Sequence, residues 1–125
     1  MKLSREKLQE SLSQFYGTEQ WTRTHPRQLA TDGVIFLAEH AGAFWLLDVI
    51  WSHQPKLRQE EFQVWELKRD GEGCIIICHD GNYNQLVRQD IPWTDFPLDF
   101  IKLYAQPNFD PDGNKELVVC LPSEY

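Results

Sequence analysis

Cysteine is scarce in this chain of 125 residues, with only Cys74, Cys78 and Cys120. An odd number of cysteines without framework spacing is typical of a reduced, cytosolic protein rather than a disulfide-stabilised one. Zinc motifs are missing as well, because there is no CxxC and no HExxH, and the four histidines match no ligand spacing. We therefore predict no metal site and no cofactor.

Basic residues are few, with 12 Lys and Arg against 19 Asp and Glu. Residues 61–125 hold five basic and twelve acidic side chains, so the whole net charge of -7 arises there. Without a basic stripe to neutralise phosphates, nucleic-acid binding is not expected. An acidic surface instead favours solubility and a basic partner.

Secretory and membrane signals are weak or missing. The N-terminus MKLSREKLQE has no apolar stretch and no small-residue cleavage site, so we expect a cytoplasmic protein. The apolar run from Gly33 to Trp51 is long enough to span a bilayer, but it contains Glu39, His40 and Asp48. We interpret it as buried helix in a soluble core, and we predict no membrane association.

Catalytic motifs are missing too. There is no glycine-rich phosphate loop, no GxSxG and no Cys/His nucleophile spacing. The segment Asp110-Pro111-Asp112-Gly113-Asn114 has the composition of a calcium loop, but its glycine comes one position early and a proline intervenes. A solvated hairpin loop is the expected structure there, and nothing commits the chain to catalysis.

Helices are predicted in the first half of the chain. Ser4 is a good N-cap for a helix with the apolar stripe Leu8, Leu12 and Phe15, and Gly17 is predicted to end it. Thr31 is predicted to cap a second helix, which Gly42 breaks into segments near 32–40 and 43–53. Residues 18–30 show no clear period, so they are expected to form a connection, with a short extended piece near 21–24.

Strands are predicted in the second half, where the apolar period changes to two. Residues 62–67, 74–78, 83–91, 100–105 and 117–121 fit five strands separated by turn sequences rich in Gly, Asn and Asp. Short connections favour an antiparallel meander. The prediction is therefore a single α+β domain over residues 1–125, with two to three N-terminal helices packed on one face of a roughly five-stranded antiparallel sheet.

Asp48 is the main site candidate, because it lies in a helical segment that is apolar on every side. Phe44, Trp45, Trp51 and Ser52 are its helical neighbours, so the carboxylate is expected to be buried and to need a proton, a cation or several donors. Asp48 is interpreted either as a general acid or base in a pocket, or as a hydrogen-bonded anchor between the helix and the Trp21 segment or the sheet. A third possibility is a helix end at a partner-binding surface.

Further binding candidates are His40, Trp45, Trp93 and Phe96. His40 follows Glu39, and adjacent helical residues diverge by about 100°, so an acid/base pair is disfavoured against a helix surface or end. Trp93 and Phe96 lie in IPWTDFP and are predicted to be exposed. They either cover the sheet edge or act as aromatic anchors for another protein.

The segments FYGTEQW, LATDGVIFLAEHAGAFWLLDVI and FQVWEL resemble a small family of uncharacterised domains from bacteria and their mobile elements. The resemblance covers mainly the first half of the chain, and TDGV, LAE, AGA and WLLD are its specific part. Thr31, Asp32, Gly33, Trp45 and Asp48 match the motif. The resemblance implies a compact cytosolic domain and assigns no role to these residues.

Two functions of different class follow from these observations. The first is a non-enzymatic protein-binding or regulatory domain that uses acidic loops and aromatic anchors, for example on a host or phage protein. The second is a small enzyme or ligand-binding protein with a pocket near Asp48, assisted by His40 or His53. A structural domain whose oligomer is its purpose is the third alternative, and the oligomeric state is left open.

Overall fold

The computed structural model describes residues 3–125. Three helices, α1 (Arg5–Leu12), α2 (Asp32–Ala41) and α3 (Phe44–Ser52), accompany seven strands. The strands are β1 (Trp21–His25), β2 (Gln28–Thr31), β3 (Gln63–Asp70), β4 (Gly73–His79), β5 (Gln85–Ile91), β6 (Phe100–Phe109) and β7 (Lys115–Cys120). A short 3-10 turn at Gln54–Lys56 follows α3, and a second one at Pro122–Glu124 follows β7.

All seven strands form one mixed sheet in the order β1-β2-β7-β6-β3-β4-β5. The five predicted strands correspond to β3–β7, and these form a continuous antiparallel block. The predicted α+β class is confirmed. The strand number is wrong, because residues 21–31 form a β1–β2 hairpin that joins the block through a parallel pairing of β2 with β7.

The meander prediction also needs correction, because β6 pairs with β3 rather than with β5. Residues 92–99 carry the chain back across the sheet, and Arg69 of β3 holds this crossing loop in place. Its guanidinium donates to the carbonyl oxygens of Thr94 (3.2 Å) and Phe96 (2.7 Å). Its backbone N–H donates to the backbone carbonyl oxygen of Asp99 (2.8 Å). These partly buried donors fix a loop that has no strand partners of its own.

The hydrophobic core lies between the helices and one face of the sheet. Each helix contributes, through Leu8 of α1, Leu37 of α2, and Leu47 and Ile50 of α3. Alternate residues of the strands complete the cluster: Trp65, Leu67, Cys74, Ile76, Cys78, Leu103, Ala105, Leu117 and Val119. This alternation is what a sheet with one buried face requires.

The predicted helix ends are partly confirmed. Gly42 ends α2 in the left-handed conformation, with φ 62°, and the chain then turns into α3. Ser4 caps α1 as expected, with its hydroxyl accepting from the Lys7 N–H at 3.4 Å. Gly17 does not end α1, because the helix already stops at Leu12.

A carboxylate from the other end of the chain caps α2. Thr31 occupies the N-cap position, but its hydroxyl donates to Glu124 Oε1 at 2.6 Å, and Glu124 Oε2 accepts from the Gly33 N–H at 2.9 Å. A side chain at Gly33 would meet Leu121 and Glu124, since an added Cβ falls 2.5 Å and 2.6 Å from their nearest atoms. Asp32 accepts from the Glu19 N–H at 2.9 Å. The Thr31-Asp32-Gly33 part of the motif therefore has a structural role at this helix start.

Within residues 3–125, no single helix is long and apolar enough to cross a membrane. Only α2 and the helical stretch Phe44–Lys56 together meet the length and composition test, and they meet at a bend of 119°.

Candidate functional site

Asp48 forms a pair with His25, which lies at the end of β1. His25 Nε2 lies 2.8 Å from Asp48 Oδ1, and the imidazole stacks on the Trp51 ring with centroids 5.1 Å apart. The other ring nitrogen, Nδ1, lies 3.1 Å from the Thr24 hydroxyl. The pair therefore joins the outer hairpin to the middle of α3.

The burial predicted for Asp48 is wrong, because its side chain is 69% exposed while that of His25 is only 16% exposed. The prediction assumed that α3 is covered on every side. Phe44 and Trp51 are exposed instead, and only Leu46, Leu47 and Ile50 of α3 are buried. The β1–β2 hairpin and the sheet cover part of the helix, and Asp48 reaches His25 from the solvent side.

A buried amide completes the anchor below this pair. Gln28 of β2 is fully buried, and its amide nitrogen donates to the Leu47 carbonyl oxygen at 3.1 Å. The same nitrogen lies 3.3 Å from the Thr24 hydroxyl. The geometry is that of an anchor between α3 and the sheet edge, as one of the interpretations of Asp48 anticipated.

Trp51 also lines a cleft of about 480 Å³ beside the end of α3. Four parts of the chain surround the cleft. They are the Gln54–Lys56 turn with the segment that follows it, the start of β3, the start of β7, and Arg27 of the hairpin. Its lining is largely apolar with a charged rim, and consists of Arg27, Trp51, Ser52, Gln54, Pro55, Leu57, Arg58, Gln63, Lys115, Glu116 and Leu117. Trp51 connects this cleft to the His25–Asp48 pair, because its ring stacks on that of His25.

Two paired amides give the cleft a rigid polar wall. Gln54 and Gln63 exchange two hydrogen bonds, each 2.9 Å long, and the Trp65 indole N–H also donates to Gln63 at 2.9 Å. Gln54 further donates to the Ile50 carbonyl oxygen at 2.9 Å. Because Gln63 and Trp65 are buried, this network fixes the wall of the cleft.

The other sequence candidates lie apart from this cleft. His40 lies in the last turn of α2, with its ring centroid 4.2 Å from that of Phe36. Trp45 packs edge-on against Phe96 with centroids 6.5 Å apart. Trp93 is exposed, as predicted. Phe96 is buried, which contradicts the prediction, because the crossing loop turns it into the core.

Sequence reasoning missed the residues that build the cleft. Arg27, Arg58 and Lys115 come from three separate segments, and no spacing connects them before the chain folds. For Gln54 and Gln63, the only signal in the sequence was the position of an amide side chain next to apolar residues. His53, named as an assistant to Asp48, instead lies 2.7 Å from Gln89 Oε1 of β5.

The three cysteines are free and buried. Burial raises the pKa of Cys78 to about 12 and that of Cys120 to about 11, with Glu60 and Asp80 adding to the first effect and Glu124 to the second. The pKa of Cys74 is raised by burial as well. No group of three or more His, Cys, Asp or Glu side chains in the described part of the chain is arranged to hold a metal ion.

The raised pKa values of these thiols predict that the protein loses stability at alkaline pH. Above pH 9 the unfolded thiols release protons while the folded Cys78 and Cys120 retain theirs, so the unfolding free energy falls as pH rises towards their folded pKa values. The expected slope is about 1.4 kcal/mol per pH unit for each thiol. Urea unfolding at pH 8.5, 9.5 and 10.5 measures it, and Cys78→Ala is expected to flatten the slope. An identical slope in the variant would contradict the assignment.

The comparisons with known proteins agree with a domain family of unknown function. No curated protein and no solved structure matches the chain. The family described as "Family of unknown function (DUF6876)" matches residues 6–125, and the chain belongs to it. The expectation of a domain of unknown function is thereby confirmed, whereas the specific motif and an origin in bacteria or mobile elements stay predictions.

Proposed function

We propose that this member of DUF6876 is a non-enzymatic binding domain and that the cleft beside Trp51 is its site for a small molecule. The observation that carries the proposal is the cleft itself, whose volume of about 480 Å³ lies in the range typical of small-molecule sites. Apolar walls around a few fixed polar groups are the usual composition of such sites.

Binding is favoured over catalysis because the histidine near the cleft and the two amides of its wall already have partners. Both ring nitrogens of His25 have partners, Asp48 on one side and Thr24 on the other. The amides of Gln54 and Gln63 bond to each other. These contacts support a rigid, preorganised site, which lowers the entropic cost of binding. A cytoplasmic setting is part of the proposal, and three free buried thiols support it.

An uncharged bicyclic probe tests the cleft. Titration of the ¹⁵N-labelled protein with 2-naphthamide is expected to shift the Trp51 indole N–H and the backbone amides of the lining residues most. Ser52→Phe places a ring at the cleft and is expected to abolish those shifts. Gln9→Phe on the exposed face of α1 adds the same ring outside the lining and is expected to leave them intact.

The proposal fails if no probe shifts these resonances. It also fails if the shifts persist unchanged in Ser52→Phe, or if they cluster on another surface.

Protein binding through the acidic half is a second candidate, favoured by Trp93. This ring is 65% exposed on the crossing loop, and exposed tryptophans are common interface anchors. A partner captured by the wild-type chain but not by Trp93→Ala, at low salt, would support it. Equal capture by both chains would contradict it.

A further inference from the structure

The rim of the cleft is basic, although the chain as a whole is acidic. Three of its 12 Lys and Arg residues, Arg27, Arg58 and Lys115, line this single site in a chain with net charge -7. A low-dielectric cleft focuses the field of such charges and raises the local concentration of oppositely charged molecules.

The acid within the lining is already neutralised. Glu116 is almost fully buried, and its Oε1 accepts from Arg23 at 3.1 Å. Arg23 does not itself line the cleft. Because Arg23 pairs with Glu116 from outside the lining, this acid does not use any of the three rim cations.

The partners of the three rim cations differ. Arg27 reaches Asp110 only at 3.5 Å, and Lys115 Nζ donates to the backbone oxygen of Arg58 at 2.7 Å, which is a neutral partner. Over residues 3–125, the Arg58 guanidinium makes no hydrogen bond or ion pair to another side chain. Its five N–H donors are thus available to a ligand at the rim.

The apolar walls set the rest of the ligand. Trp51, Pro55, Leu57 and Leu117 offer a ring and aliphatic surface next to the cations. A planar apolar body against these side chains would bury hydrophobic area while its charged end stays at the rim.

We infer that the cleft takes a small organic anion, with a carboxylate or phosphate group held by Arg58 and its neighbouring cations and an apolar body packed against Trp51. This inference rests on the proposed function and adds the chemical class of the ligand. Guanidinium groups bind both oxyanions through paired, charge-assisted hydrogen bonds, so the two groups share one recognition chemistry.

Matched probes that differ only in the polar group test the inference. The wild-type protein is titrated at low ionic strength with 2-naphthoate, 2-naphthyl phosphate and uncharged 2-naphthamide. At least one anion is expected to bind about tenfold more tightly than the amide. This preference is expected to shrink as salt is added. The tighter of the two anions identifies the oxyanion.

Arg58→Gln is expected to remove most of the anion preference and to leave the affinity for 2-naphthamide unchanged. Lys115→Gln is expected to act in the same direction. Arg88→Gln is the matched control, because Arg88 is an exposed arginine on β5, outside the cleft. It should preserve the preference.

Equal affinities for the amide and both anions would overturn the inference while the proposed function stands. An anion preference that survives in Arg58→Gln and Lys115→Gln would overturn it as well. Loss of binding by all three probes would defeat both proposals. A dimer that Arg58→Gln dissociates without any probe would assign the cleft to an acidic segment of a second copy and overturn the small-anion inference.

Discussion

Phe96→Ala is expected to lower the free energy of unfolding by about 3–5 kcal/mol. The ring is only 1% exposed and packs edge-on against Trp45, so its removal leaves a cavity beneath the crossing loop. Arg69 holds the backbone of this loop at Thr94 and Phe96, which limits how far the site can collapse. Urea unfolding monitored by circular dichroism measures the change.

Trp93→Ala provides the matched comparison within the same loop. Its side chain is exposed, and surface substitutions away from special contacts change stability by about 0.5 kcal/mol or less. The two variants therefore separate the aromatic residue that holds the fold from the one that is free for a partner. Similar losses in both variants would contradict the burial of Phe96 and the exposure of Trp93.

Gly73→Ala is the other large effect and is expected to lower the free energy of unfolding by about 3 kcal/mol. An added Cβ would lie 2.0 Å from the Ile91 carbonyl oxygen and 2.8 Å from backbone atoms of Pro92. Because the obstacles are backbone rather than flexible side-chain ends, relief requires movement of β4 against the end of β5. Thermal unfolding of the purified variant measures the loss.

Gly17→Ala is the control for a glycine outside such a contact. Nothing lies within 4 Å of its added Cβ, and its φ is not positive. The substitution is expected to leave stability unchanged or to raise it by up to about 1 kcal/mol, by restricting the unfolded chain. Equal destabilisation by the two alanines would refute the close approach at Gly73.

The strands of the second half and one helix break in the first half were predictable because their signals are local. Alternating apolar residues and turn sequences locate β3 to β7, and Gly42 marks the break between α2 and α3. The order of the strands depends instead on where residues 92–99 cross. Arg69 contacts that loop at Thr94 and Phe96, which are 25 and 27 positions away in sequence. Local periodicity carries no information about such a contact.

The β1–β2 hairpin was not predicted, because its local sequence pattern is weak. Its exposed outer strand, Trp21–His25, has no buried face along its first three residues, so its pattern is weak. Its partner β2 is only four residues long. Pairing with β7 supplies the missing stability, and that strand lies at the other end of the sequence.

The candidate site was predictable only in part. The apolar character of α3 correctly indicated that this helix contributes to the core, through Leu46, Leu47 and Ile50. His25 is a partner of the kind that Asp48 was expected to need. The burial of each turn of α3 depends on the elements packed against it, and the composition of the helix does not reveal those elements. The cleft combines residues from four segments, so it exists only after the strands have paired into the sheet.

The parallel pairing of β2 with β7 bears on how the chain folds. Leu29 and Ala30 lie opposite Val118 and Val119, so this contact closes a loop of about 90 of the 125 residues. Contacts between such remote segments slow folding, because the ordering entropy is lost before the contact is gained. On a ribosome, the hairpin near the start must wait with one edge unpaired until the final strand emerges. Aggregation during synthesis is therefore expected to begin at that edge.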